Sequence, residues 1–217
     1  MTRSARASIM LFGDTMKENY QKQMDAVLAA LPEGEKPRLL LQSCCGPCSS
    51  YVLETLTPHF HVTVLYYNPN IQPREEYDKR LETQRQIIAA LPTPTHVDIL
   101  ECDYDGEAYD AAVRGLETEP EGGARCTVCF RLRLEETARR AAALGYDWFC
   151  TTLTVSPHKD AERLNKIGAV MGERYGVPFL PSDFKKREGY KRSITLSKEY
   201  GLYRQDYCGC LYSKTNA

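Results

Sequence analysis

The sequence has no apolar run approaching the ~18 residues that a membrane-spanning helix needs, so no membrane segment is expected. Its first residues, Met1 to Phe12, contain no apolar signal core followed by a small-residue cleavage site. An oxidising compartment and a disulfide framework are therefore not expected, and the chain reads as cytoplasmic with reduced thiols. No excess of one charge is present either. Lys and Arg number 28 against 29 Asp and Glu, a net charge of −1, which excludes a uniformly basic nucleic-acid coat and confines any RNA contact to a local patch. No GxGxxG or P-loop pattern marks a nicotinamide or ATP site.

Cysteine, by contrast, is plentiful and grouped. Seven of the 9 cysteines fall in three tight clusters: Cys44, Cys45 and Cys48 in CCGPC, Cys126 and Cys129 in CTVC, and Cys208 and Cys210 in CGC. Reduced cysteines at such spacing are metal ligands or redox catalysts, and the three clusters exceed what one thioredoxin-like dithiol requires. They also exceed the four thiolates of a structural zinc, so an iron–sulfur cluster with a second metal beside it is the reading that uses them all. A structural zinc with spare buried cysteines is the other reading open at this point. Cys102 and Cys150 stand alone in apolar, strand-like runs and read as core residues.

The length of 217 residues and 42% hydrophobic content suit one α/β metal-binding catalytic domain over 38–217, preceded by a helical N-terminal extension over 1–37. The spacing predicts a helix over 15–31, with Thr15 and Glu18 as a capping box. Strands are predicted over 38–43, 61–67, 96–101, 147–152 and 177–180, and helices over 49–56, 73–91, 131–144 and 160–175. Leu39, Leu40 and Leu41 form a run suited to a strand buried on both faces. The alternation argues for a doubly wound, mostly parallel, Rossmann-like sheet of about five strands. The polar, glycine-containing segment 117–123 is expected to be a flexible loop.

Ligands of open α/β sheets bind beyond the carboxyl ends of the strands, and CCGPC occupies that place after the first strand. Asn68, Pro69 and Asn70 follow the second strand, Cys126 and Cys129 are expected just ahead of a helix, and 151–159 follows the fourth strand. The tail DYCGC must then close over the same edge, with Pro47 restricting the backbone and Gly46 and Gly209 permitting tight turns. Asp206, two residues before Cys208, adds a hard carboxylate that suits an iron with an open coordination position. His158, in SPHK, is a ligand, proton donor or stacking residue. Two basic groups stand out: Arg131, Arg133, Arg139 and Arg140, and then Lys185, Lys186, Arg187, Lys191 and Arg192 interleaved with Phe184 and Tyr190. Each is either an RNA contact or a solvated helix face.

The ordered motifs CCGPC, NPNIQPREEYDKR, RCTVCFRLRLEETA, TTLTVSPHK with Asn165 following, and FKKREGYKRSITLSKEYGLYRQDYCGC resemble the epoxyqueuosine reductases of the QueH type over residues 39–213. The resemblance implies a 4Fe–4S cluster, an adjacent mononuclear iron, and reductive removal of the epoxide oxygen from a queuosine-type wobble base in tRNA. It implies Cys44, Cys45, Cys48, Cys126, Cys129, Cys208, Cys210 and Asp206 as metal-binding residues. Converting the epoxide to an alkene takes two electrons and two protons and releases water. Asp206, His158, Lys159 and Tyr190 are the candidate proton donors, and an external low-potential carrier is the expected electron source. Arg131, Arg133, Lys185, Lys186, Arg187, Lys191 and Arg192 are the expected RNA contacts, since anticodon loops are recognised by stacking and by phosphate contacts. Two alternatives are a tRNA sulfur-transfer or related nucleotide-activating enzyme and a zinc-stabilised RNA-binding module. The first would carry a glycine-rich pyrophosphate loop where CCGPC stands.

Overall fold

In the computed structural model, which describes residues 18–214, Leu39, Leu40 and Leu41 of β1 (Arg38–Gln42) are all fully buried. Successive strand side chains point to opposite faces, so three buried leucines in a row require a packed layer on each side. Both layers are present. Leu39 and Leu41 share one core with Val62, Val64 and Cys150. Leu40 shares the other with Leu65 and Phe149. Each such leucine contributes about 1.5–3 kcal/mol by leaving water.

The first core is closed by α1 (Tyr20–Ala30), α2 (Gly46–Leu56), α3 (Arg74–Ala90) and α7 (Gly189–Glu199), through Met24, Leu53, Ile87 and Leu196. The second is closed by α5 (Ala124–Ala143) and α6 (Ala161–Tyr175), through Phe130, Leu134, Leu164 and Met171. Between them, β1, β2 (His61–Tyr66), β3 (Asp98–Glu101) and β4 (Trp148–Thr151) form a parallel sheet of order β3-β2-β1-β4. Helices on both faces of a parallel sheet make the doubly wound α/β fold that the alternation predicts. The chain winds outward from β1 to β3 and then returns to place β4 on the other side of β1. The order therefore reverses between β1 and β4, where such sheets hold their ligands.

Several boundaries differ from expectation. The fifth strand is reduced to one parallel bridge, Phe149 to Phe179, because Pro178 and Pro181 bracket the segment and cannot donate to a ladder. The first helix starts at Tyr20 with Asn19 as its cap, Oδ1 accepting from Lys22 N–H at 3.1 Å, while Thr15 lies outside the described residues. Helix α2 starts inside CCGPC rather than at residue 49, with Pro47 in its first turn, where a missing N–H costs nothing. Gly46 serves close packing rather than a turn: a Cβ there would strike the Thr83 carbonyl of α3. Gly209 does turn the chain, at φ 108°. Helix α5 starts at Ala124, so Cys126 and Cys129 lie within it. Two helices depart from the expected pattern altogether: α4 (Gly106–Ala112), capped by Asp105, and α7. Segment 117–123 is braced by Arg125 Nη1, which donates to the carbonyls of Leu116, Glu117 and Glu119. Arg163 Nη1 holds the Gly122 carbonyl at 2.7 Å. Among the described residues no helix is long and apolar enough to cross a membrane.

Candidate metal centre and substrate cleft

Cys44 and Cys45 leave the carboxyl end of β1, and Cys48 follows in the first turn of α2, so one short segment brings three thiols together. Their sulfurs all lie within 4.8 Å of one another, with Cys44 and Cys45 Sγ 3.7 Å apart. Hydrogen bonds from Cys45 and Cys48, aided by the charges of Arg133 and Arg80, hold the Cys44 thiol well below its ordinary range despite burial. The shared negative charge pushes its neighbours the other way: Cys45 rises to about 12, chiefly through its bond with Cys44, and Cys48 rises too. One thiolate is thus favoured and its companions stay protonated while nothing else carries the charge. A bound cation removes that constraint.

The other thiols are delivered from α5 and the tail. Cys126 Sγ accepts from Gly122 N–H at 3.1 Å, Cys208 Sγ from Lys159 Nζ at 3.0 Å, and Cys210 Sγ from Tyr109 Oη at 3.1 Å. Cys129 packs with Cys210, and burial raises its thiol to about 12. Burial alone would lower the Lys159 ammonium, but the Cys208 charge and hydrogen bond hold it above the usual lysine range. The tail that carries Cys208 and Cys210 is fastened to the second crossover: Gln72 N–H donates to the Gly209 carbonyl, and Tyr207 Oη to the Gln72 carbonyl, both at 2.9 Å.

Two buried guanidinium groups flank this sulfur-rich region. Arg80, 1% exposed, pairs with Glu76 at 2.6 Å and donates to the carbonyls of Tyr207 and Cys208. Arg133, 2% exposed, donates from Nη2 to Asn68 Oδ1 at 2.7 Å and faces Cys129 and Cys44. Asn68 also accepts from Gln42, which accepts from Thr151, so one polar chain joins the carboxyl ends of β2, β1 and β4 to α5. Buried cations are costly unless matched by negative charge. Two of them beside clustered sulfurs fit a thiolate-bound metal group of net negative charge.

A cavity of about 530 Å³ opens over the thiols at the β1/β4 reversal. Cys44 and Cys48 line it together with Cys208 of the tail. His158, Lys159, Tyr190 and Asp206, the expected catalytic residues, all line it. Sequence reading assigned no role to several further lining residues, Glu121, Arg204, Gln205 and Tyr207 among them. Glu121 sits 3.5 Å from Lys159 Nζ, Gln205 Nε2 donates to Cys45 Sγ at 3.2 Å, and Arg204 lies 5.9 Å from the Tyr190 ring, with Tyr207 beside them. Arg204 and Gln205 immediately precede DYCGC and Tyr207 lies within it, so that motif was their only signal.

The expected RNA contacts separate. Arg131 and Lys186 are exposed, but Arg133 is turned into the thiol region and is not presented to solvent. Lys185 pairs with Asp183 at 2.8 Å, Arg187 with Asp25 at 2.6 Å, Lys191 with Glu188 at 3.1 Å and Arg192 with Glu54 at 2.5 Å. Arg139 and Arg140 both pair with Glu136. Carboxylates therefore neutralise much of the basic run. Cys150 is buried with its sulfur against Leu180 and Ser182, and Cys102 packs at the edge of the second core, as core thiols should.

Residues 39–216 match the family model described as epoxyqueuosine reductase QueH. An epoxyqueuosine reductase QueH from Streptococcus pyogenes is 44% identical over 200 residues, covering 91% of this chain and 78% of its own. That of Staphylococcus epidermidis is 41% identical, covering 91% and 85%. The Thermotoga maritima relative is 36% identical over 81% of this chain and 89% of its own.

Proposed function

The chain belongs to the epoxyqueuosine reductase QueH family, and on that premise we propose that its β1/β4 cavity receives the epoxide-bearing wobble base of a tRNA anticodon. The protein is an oxidoreductase that converts epoxyqueuosine to queuosine, and the sulfur-transfer and zinc-module readings give way. The observation that carries the assignment of the site is one cavity lined by Cys44, Cys48, Cys208, His158, Lys159, Tyr190 and Asp206.

In this reading Cys44, Cys45, Cys48, Cys126, Cys129, Cys208 and Cys210, with Asp206, hold a 4Fe–4S cluster and an adjacent iron. Bound there, the metals supply electrons one at a time and a Lewis acid, while an external low-potential donor replenishes the electrons. The protein's own residues do the rest. Arg80 and Arg133 offset the charge of the thiolates from within the core. Lys159 keeps a proton on Nζ beside Cys208, with Glu121 fixing its direction, and His158 and Tyr190 offer further donors for the departing oxygen. Tyr190, with the Arg204 guanidinium over its ring at 5.9 Å, offers the cavity an aromatic stacking partner and a positive charge, suited to an unstacked base and its phosphate.

The test is anaerobic turnover of epoxyqueuosine-containing tRNA with a chemical reductant, followed by nucleoside mass spectrometry and metal analysis. Iron-loaded protein should form queuosine. Colourless protein with stoichiometric zinc and no product would sink the assignment.

A further inference from the structure

Beyond the contacts among Cys44, Cys45 and Cys48 and that of Arg133 with Cys129, four clustered thiols receive hydrogen bonds from four separate donors: Gln205 to Cys45, Gly122 N–H to Cys126, Lys159 to Cys208 and Tyr109 to Cys210. Gln205 and Lys159 also line the cavity, so changing either would disturb substrate as well as sulfur. Gly122 acts through its backbone. Tyr109 differs from all three, because its side chain reaches sulfur from behind, away from the cavity wall.

The geometry around Tyr109 is restrictive. The residue is 1% exposed and packs with Val113, Cys129 and Cys210. Its helix, α4, is anchored by the next residue: Asp110 accepts from Gln72 Nε2 at 3.0 Å and from Tyr212 Oη at 3.3 Å. Those partners come from the loop after β2 and from the tail just past Cys210. The helix is thus pinned to the same tail segment whose sulfur the phenol contacts at 3.1 Å, with the hydroxyl sealed from water. A buried hydroxyl needs a partner, and the Cys210 sulfur is the one it has among the described residues.

We infer that Tyr109 is a positioning residue of the metal centre, whose hydroxyl orients the Cys210 thiolate and raises the reduction potential of the group that thiolate holds. The inference rests on the proposed role of Cys210 as a ligand. A hydrogen bond to a ligating sulfur withdraws charge from it, and reduction adds negative charge to the centre. The bond is therefore stronger in the reduced state and favours it. The phenol neither transfers a proton nor meets substrate in this role.

The full chain, reconstituted anaerobically with iron and sulfide, provides the test as wild type, Tyr109→Phe and Cys210→Ala, with iron content and an EPR-monitored redox titration for each. Tyr109→Phe should retain iron and titrate at a more negative midpoint. A tenfold change in the one-electron equilibrium corresponds to about 59 mV. It should also lose iron to a competing chelator about tenfold more readily. Should Tyr109→Phe fail to fold, 3-fluorotyrosine placed at position 109 keeps the contact and strengthens the donor, and the midpoint should move positively. An unchanged midpoint in either form overturns the inference. Cys210→Ala separates the two levels: iron loss there with no shift in Tyr109→Phe leaves Cys210 a ligand and removes Tyr109 from its tuning, whereas full iron and a wild-type midpoint in Cys210→Ala refute the ligand role itself.

Discussion

Arg80 of α3 holds Cys208 by its backbone: Nη1 donates to the Cys208 carbonyl at 3.1 Å while Nη2 takes the preceding carbonyl of Tyr207. The same guanidinium pairs with Glu76 and lies over the Tyr207 ring, 5.1 Å from its centroid. One buried side chain thereby sets where a tail thiol sits.

Replacing Arg80 by Met leaves two carbonyls without their donor and Glu76 without its cationic partner, with Tyr203 Oη still donating to the carboxylate. Breaking a buried pair from one side costs about 3–5 kcal/mol. Urea unfolding of Arg80→Met should show a loss of that order, and limited proteolysis should cut the tail faster than in wild type. Wild-type proteolysis would mean that the tail is held by other contacts.

Gly46→Ala should disturb the centre without touching a sulfur. The added methyl meets the Thr83 carbonyl and lies 2.8 Å from its Cγ2, so α2 must move away from α3. Overpacking of this kind costs about 1–3 kcal/mol. The first turn of α2 shifts with it, so iron stoichiometry should fall along with stability. Full iron retention would separate the position of α2 from metal loading.

In metal-free protein Cys44 is the expected thiolate. It is partly accessible, and its neighbours hold it well below the ordinary thiol value of about 8.5, while Cys45 and Cys48 are raised. Iodoacetamide applied below that value, with peptide mass spectrometry, should label Cys44 ahead of the other two. Arg133→Met should slow the labelling, since the guanidinium charge favours the thiolate. Equal labelling of all three would contradict the arrangement.

For tRNA, Arg204→Ala should weaken binding more than Arg192→Ala. Arg204 lines the cavity near Tyr190 with no carboxylate partner among the described ion pairs, its Nη1 donating to Ser197 Oγ, whereas Arg192 is engaged by Glu54. If Arg204 neutralises a phosphate, its removal should reduce the slope of log affinity against log salt by about 0.7–0.9. A filter-binding series in which Arg192→Ala has the larger effect would return the RNA surface to α7.

What could be read from the chain beforehand follows from how local each signal is. Leu39 to Leu41 announced a doubly covered strand because burial on both faces shows as an unbroken apolar run, and Asp160 and Gly176 marked the ends of α6 by their capping chemistry. Helix α4 went unread because its 7 residues are too few to establish a period. The start of α5 was displaced because Gly123 offers no capping side chain. Helix α7 was hidden behind Arg187 and Glu188, whose φ values of 52° and 59° are unusual for residues with a side chain, and behind a basic run that invited a nucleic-acid reading. At the site, clustered cysteines are a local pattern and were legible. Arg80 and Arg133 were not, since a charged residue is recognisable as buried only through its partners, here 128 and 65 positions away.

The order in which the clustered cysteines occur along the chain has a consequence for biosynthesis. Every strand is complete by Thr151, yet Cys208 and Cys210 are translated after all of them and after α7. A nascent chain can therefore fold its sheet around Cys44, Cys45 and Cys48 while the last sulfurs are still inside the ribosome. A product terminated before Cys208 carries the first five clustered thiols without the last two. Under the proposed ligand set, metal loading that uses all seven thiols requires translation to have passed Cys210.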